Sequence, residues 1–176
     1  MSDFKEGNVN YSKHLIGIIS DTHDNLDAID EAIRIFNSKK VSLVIHAGDY
    51  IAPFSAAKFE KLNAPMVGVF GNNDGEKVGL RKRFSEIDVS LEDLLQLTHD
   101  DKKIAVYHGT IKPVVDALVK SREYDVVVSG HSHEAEVRFE GGILVINPGE
   151  ACGYLSGKRT LCILDHKKME AEIVEF

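Results

Sequence analysis

Short apolar runs recur along this chain, and they constrain its fold more than any other feature. LIGIIS (15–20), SLVIHA (42–47), MVGVF (66–70), KIAVY (103–107) and DVVVS (125–129) are rich in β-branched residues. Their length and composition read as strands. Between the first two, Leu26, Ile29, Ala32, Ile33 and Phe36 recur at three- and four-residue steps, an amphipathic helix with Asn25 near its cap. The same period and breaker rules predict helices over about 53–62, 76–84 and 112–121. Strands joined by helices pair in parallel. Further strands are predicted near 94–98, 135–139, 142–146, 159–165 and 169–175, the last two joined by the polar turn Asp165-His166-Lys167-Lys168. Late strands without intervening helices imply an antiparallel portion, so periodicity alone gives an α/β fold with a mixed sheet.

Each of the first five runs stops at a peptide that carries metal-ligating groups. Asp21-Thr22-His23 follows the first, Gly48-Asp49 the second, Gly71-Asn72-Asn73-Asp74 the third, His108-Gly109 the fourth and Gly130-His131-Ser132-His133 the fifth. In an open α/β sheet the loops leaving the carboxyl ends of the strands share one rim, where remote side chains converge. Asp21, His23, Asp49, Asn72, His108, His131 and His133 are the candidate ligands of that rim. Oxygen and imidazole donors without thiolate suit Mn²⁺, Fe²⁺, Ni²⁺, Zn²⁺ or Mg²⁺. Seven ligands exceed what one ion needs. Two ions about 3.5–4 Å apart, bridged by one carboxylate, would use them all, an arrangement suited to in-line displacement at phosphorus.

The order D-x-H, G-D, G-N-x-D, H-G, G-H-x-H resembles the calcineurin-like metallophosphoesterase superfamily, and within it the small YfcE-type phosphodiesterases. The likeness runs from about Leu15 to the C-terminus. It implies a four-layer α/β/β/α sandwich of two mixed sheets flanked by helices. It also implies one ion on Asp21, His23, Asp49 and His133, and a second on Asp49, Asn72, His108 and His131, with Asp49 bridging. Asp49, Asn72 and His23 carry over as the catalytic residues, and Mn²⁺ as the first expectation for both ions, with Ni²⁺, Fe²⁺, Zn²⁺ or Mg²⁺ as alternatives. The chemistry implied is hydrolysis of a phosphodiester by a hydroxide bridging the two ions, since metal binding lowers the pKa of water toward about 7.

Two departures from the family pattern stand out. Many members read G-N-H-[DE], where the histidine protonates the leaving oxygen; Asn73 stands there and cannot act as an acid. Good leaving groups, or proton delivery by water or His23, are therefore expected, with Asp74 as a hydrogen-bonding partner of the ligands. Where YfcE-type proteins read N-P-G-S, this chain has Asn147-Pro148-Gly149-Glu150. Backbone N–H groups of this loop, around Asn147 and Gly149, are either phosphate contacts or parts of a plain turn, and Lys158 and Arg159 are further phosphate candidates.

Taken singly, each peptide has an ordinary reading. A histidine ending a strand is commonly a half-exposed polar residue, Asp49 after glycine a turn former or cap, and Gly71–Gly75 a turn cluster. The joint order and strand-end placement are what these readings leave unexplained. His14, His46, His99 and His166 keep the ordinary reading, His46 as a packed histidine inside its strand.

Composition bounds the remaining choices. The 176 residues, 43% hydrophobic and 28% charged, suit one catalytic domain over 14–176 preceded by a polar tail over 1–13. A formal net charge of −7 argues against an extended nucleic-acid surface. A small phosphodiester or phosphate-ester substrate stays compatible, because two ions supply positive charge locally. Cys152 and Cys162 form no C-x-x-C and read as reduced thiols. No stretch reaches the length needed to span a bilayer, and LIGIIS is a strand and not a signal core. The expectation is a cytoplasmic enzyme, with homo-oligomerisation left open. The alternatives are a phosphomonoesterase on the same site and a protein-interaction scaffold of the same fold, as in a retromer subunit that resembles it. A scaffold has no need for a full ligand set, because converging unpaired charges repel or cost desolvation.

Overall fold

The computed structural model describes residues 14–176; the tail expected over 1–13 lies outside the described residues. β1 (Leu15–Ile19), β2 (Leu43–His46), β3 (Met66–Val69) and β4 (Leu91–Glu92) pair in parallel, and β10 (Thr160–Asp165) and β11 (Glu170–Glu175) extend the β1 edge antiparallel, giving the order β11-β10-β1-β2-β3-β4. The second sheet runs β5 (Leu95–His99), β6 (Lys102–Val106), β7 (Val126–Val128), β9 (Ile143–Asn147) and β8 (Glu136–Glu140). Its central pairs β6–β7 and β7–β9 are parallel and its outer pairs antiparallel.

Strand alternation shows why the apolar runs are continuous. Ile16, Ile18, Leu43 and Ile45 of the first sheet meet Ile104, Val106, Val126, Val128, Leu144 and Ile146 of the second in one buried layer. The alternate residues face outward: Ile19 and Val44 pack under α1 (Leu26–Lys39), α2 (Ala56–Phe59) and α3 (Lys77–Ser85), while Ala105, Val127 and Val145 pack under α4 (Lys112–Ser121). A strand sandwiched on both faces has no polar side to show. The result is four layers, helices outside two mixed sheets, as the family resemblance implied. α1 carries the stripe Ala28, Ile29, Ala32, Ile33 and Phe36 inward, and Asn25 caps it by accepting from the Ala28 N–H at 3.1 Å.

Two elements differ from expectation. The helix expected over 53–62 is a 3₁₀ turn at Pro53–Ser55 followed by a single α turn ending at Phe59. β4 is a two-residue strand that the sequence did not announce. The parallel core matters most for function: β1, β2, β3, β6, β7 and β9 all release their chains toward the same rim.

Candidate metal centre

Past the ends of β1 and β2 the chains keep hydrogen-bonding as loops. The Asp21 N–H donates to the Gly48 carbonyl at 2.9 Å, His23 to Asp49 at 3.1 Å and Asp24 to Tyr50 at 3.1 Å. Holding both loops against each other requires left-handed backbone at Asp21, His23 and Asp49 (φ 54°, 42° and 62°), and the β7 loop repeats this at His131 and His133 (φ 69° and 61°). Asp and His visit this region more readily than most residues, yet at roughly 1–2 kcal/mol each. Such strain concentrates at functional sites, and here it falls on candidate ligands.

Asp74 organises the rim from beneath. Its buried carboxylate accepts the N–H groups of Asp49 (3.0 Å), Ile51 (2.8 Å) and Gly71 (2.7 Å), so it pins the backbone that bears candidate ligands and not a candidate ligand's side chain. Two glycines leave room for the carboxylates. A Cβ on Gly71 would lie 2.0 Å from Asp49 Oδ1, and one on Gly130 would lie 2.0 Å from Ser20 Oγ and 2.7 Å from Asp21 Oδ2. His46 lies below, stacked on Tyr50 at 3.8 Å. It accepts the Gly48 N–H at Nδ1 (3.1 Å) and so presents an Nε2–H to Thr22 Oγ1 (3.1 Å). With both ring nitrogens engaged it has none to offer an ion, and burial pushes its pKa well below the usual range.

The other histidines turn ring nitrogens toward carboxylates. Ligand atoms of Asp21, His23 and His133 lie within 4.8 Å of one another, as do those of Asp21, Asp49 and His108. His133 Nε2 is 3.3 Å from Asp21 Oδ1, and His23 Nε2 is 3.7 Å from the same oxygen. Asp49 Oδ2 stands 3.4 Å from both His23 Nε2 and His108 Nε2. Asn72 Oδ1 approaches His108 Nε2 at 3.0 Å. His131 stands farther out: it is exposed, its ring centroid is 5.3 Å from that of His108, and its backbone N–H donates to Asp21 Oδ2 at 3.1 Å. Asn73 folds back onto Asp49, donating its N–H to Oδ1 (2.9 Å) and its amide to Oδ2 (2.7 Å).

This donor set fits a cation. Asp21 Oδ1 and His23 Nε2 are buried without a hydrogen-bond partner, which a protein rarely tolerates unless something else fills the role. His108 Nδ1 lies 2.7 Å from the Ala47 carbonyl, an acceptor only, so that nitrogen carries the proton. In the neutral ring Nε2 then aims a lone pair at two oxygens, a repulsion that a proton or a metal ion between them would relieve. Proton affinities report the same field. Burial pulls His108 down, but the Asp49 carboxylate outweighs it and the pKa is raised. His23 is raised by the Asp21 carboxylate, against burial. Burial would push Asp49 up, yet His108 and the Asn73 donors hold it well below the usual carboxylate range.

At the β9 exit, Asn147 acts as a clamp: its amide donates to the Gly130 carbonyl and to Ser132 Oγ, each at 2.9 Å, and its oxygen accepts the Gly149 N–H at 3.0 Å. That N–H is engaged within the turn. Lys158 pairs with Glu175, and Arg159 lies 3.9 Å from Glu31, so both cations meet carboxylates of the protein. The residue that sequence reasoning missed is Glu150. It is buried against His133. Burial raises its pKa, but donors from Ser156 and His133 reverse this and bring it to about 2. Its one signal was a carboxylate where the family pattern has serine. Cys152 and Cys162 are both free and buried, and burial pushes each thiol up to about 12.

Residues 15–169 match the model of the calcineurin-like phosphoesterase superfamily domain. The chain is 45% identical over 157 residues to Phosphodiesterase MJ0936 of Methanocaldococcus jannaschii, covering 88% of this chain and 95% of that protein. Among solved structures, an archaeal phosphodiesterase superposes with a TM-score of 0.89 at 43% identity, over 92% of this chain and 99% of the other. The phosphoesterase Yfce from E. coli superposes at 0.64 with 18% identity, over 91% and 98%, and shares the fold.

Proposed function

The chain belongs to the calcineurin-like phosphoesterase superfamily and is a phosphoester hydrolase, and on that premise we propose that it is a phosphodiesterase working with two divalent ions. One observation carries the dinuclear reading: a single carboxylate oxygen, Asp49 Oδ2, stands 3.4 Å from histidines belonging to two different ligand groups. Asp21, His23, Asp49 and His133 would hold one ion, and Asp49, Asn72, His108 and His131 the other. Ions held there would supply a water nucleophile and neutralise charge on the phosphoryl oxygens.

The chain's own residues do the rest. Asp74 and the paired β1 and β2 loops hold the ligands in place before substrate arrives, and preorganised geometry lowers the barrier without reorganisation cost. Asn73 supplies an amide where other members place an acid, so the leaving oxygen departs unassisted by that position. Substrates with stable leaving anions, such as aryl oxides, suit this site best. Mn²⁺ first among the ions, a small phosphodiester or phosphate-ester substrate, a single domain over 14–176 and a cytoplasmic location belong to the same proposal; among the described residues, no helix is long and apolar enough to cross a membrane.

The test is elemental analysis of the purified protein together with hydrolysis of bis(4-nitrophenyl) phosphate, with and without added Mn²⁺, for wild type and Asp49→Ala. Two ions per chain and metal-dependent turnover, both lost in Asp49→Ala, are expected. An Asp49→Ala protein that keeps two ions and full turnover overturns the assignment. Faster hydrolysis of 4-nitrophenyl phosphate than of the diester would reassign the site as a monoesterase.

A further inference from the structure

The turn after β9 buries a carboxylate among three hydrogen-bond donors and a histidine ring. Glu150 is fully buried. It faces His133 Nδ1 at 2.7 Å, Cys152 Sγ at 3.2 Å, the Leu155 N–H at 3.0 Å and 3.2 Å to its two oxygens, and the Ser156 N–H. The Leu155, Ser156 and Cys152 donors favour the ionised carboxylate, which only accepts and has no proton to give the ring. The histidine must therefore present an N–H at Nδ1. Its other nitrogen, Nε2, then carries the lone pair, and Nε2 is the atom that faces Asp21 Oδ1 at 3.3 Å.

We propose that Glu150 is the positioning residue of His133, fixing the ring in the tautomer and orientation that direct Nε2 into the ion site. This rests on the two-ion reading above and deepens it. The same carboxylate holds the backbone of Leu155 and Ser156, so the turn bearing the exposed Tyr154 and Leu155 is tied to the group that orients a ligand. A serine at this position, neutral and shorter by two bonds, has too few lone pairs to serve His133 and the two backbone amides together. A histidine whose second nitrogen donates to a carboxylate is held in orientation and is a more basic ligand. His133, Glu150 and Cys152 are also close enough to suggest an ion among themselves. The donors already fill the carboxylate, and the thiol spends its proton on it, so that cluster is hydrogen-bonded and not metal-binding.

Two measurements test this. In ion-free wild type at about pH 8, above the ordinary histidine range, long-range ¹H–¹⁵N correlation spectra read which nitrogen of His133 is protonated. Nδ1–H is expected; Nε2–H overturns the proposal. Titration with Mn²⁺, read by the electron paramagnetic resonance signal of the free ion, then compares wild type, Glu150→Gln and Cys152→Ala, with circular dichroism checking the fold. Glu150→Gln should weaken one of two binding steps by about 10–100-fold and leave the other alone, as loss of an outer partner of a ligand does. Cys152→Ala should leave both steps unchanged. Two unchanged steps in a folded Glu150→Gln, or a third ion in wild type, overturn the proposal. Should Glu150→Gln fail to fold, the wild-type tautomer decides. Wild type that binds no Mn²⁺ removes the two-ion reading, while the tautomer still tells whether Glu150 orients His133.

Discussion

Adding one methyl group at Gly71 should empty the ion site while leaving the fold standing. The new Cβ would lie 2.0 Å from Asp49 Oδ1, 2.5 Å from the Asp49 nitrogen and 2.7 Å from its Cγ. Real Cβ contacts essentially never fall under 3.0 Å, so the carboxylate and Cβ must separate by at least 3.0 − 2.0 = 1.0 Å. Asp49 cannot yield freely, because Asn73 holds both its oxygens and Asp74 its N–H. Overpacking of this kind costs about 1–3 kcal/mol. Function should suffer more: metal sites tolerate only about 0.2 Å in ligand distance, and misplacement by about 1 Å costs on the order of 100-fold in rate. The assay is ion content, thermal melting and diester turnover of Gly71→Ala, compared with Gly75→Ala in the same loop. A Cβ at Gly75 meets nothing within 4 Å, so that variant should melt at or slightly above wild type, by up to about 1 kcal/mol, and keep its ions. A Gly71→Ala protein with two ions and wild-type turnover would refute the placement of Asp49 at the centre.

Three further outcomes follow from named contacts. His46→Ala should cost about 2–4 kcal/mol in chemical denaturation, since it removes a ring stacked on Tyr50, yet leave ion stoichiometry at two; a lost ion would move His46 into the ligand set. Asn73→His should speed an alkyl diester at least about tenfold more than an aryl one, and an unchanged leaving-group dependence would remove the argument about the missing acid. Lys58 and Lys61 hold Asp30 below its ordinary value of 3.8, so its contribution is complete above that pH and fades as pH falls through the lowered value. Asp30→Asn should accordingly lose about 0.5–1 kcal/mol at pH 7, and the gap should narrow on acidification; a gap that stays constant as the pH is lowered below 3.8 would mean the pair is not its source.

The strands and helices were legible because burial on both faces writes uninterrupted β-branched runs, and because α1 carries its apolar stripe at helical spacing. What local pattern could not convey is partnership. Nothing near Thr160 says that β10 lies beside β1 while β9 lies beside β7, since that choice is made by side-chain layers remote in sequence. β4 escaped notice because it pairs through only two residues, too few for any period. The candidate ligands were visible because strand ends in parallel sheets share one rim. Asp74 was legible as a hydrogen-bonding partner, but not that it grips backbone amides; Glu150 was harder, since it sits in a Gly-containing turn and its work depends on backbone amides and a histidine reached only through the fold.

The left-handed backbone at the proposed ligand positions sets stability and function against each other at single residues. His131 is the clearest case, being exposed and at φ 69°. Glycine there would relieve about 1 kcal/mol of backbone strain and keep the N–H that donates to Asp21, so His131→Gly should make the ion-free protein more heat-resistant while removing a proposed ligand. Selection for thermal tolerance without selection for turnover would therefore erode this rim first, drifting it toward glycine while the sandwich beneath it stayed intact. Persistence of histidine and aspartate at such positions across a lineage would record continued selection for catalysis.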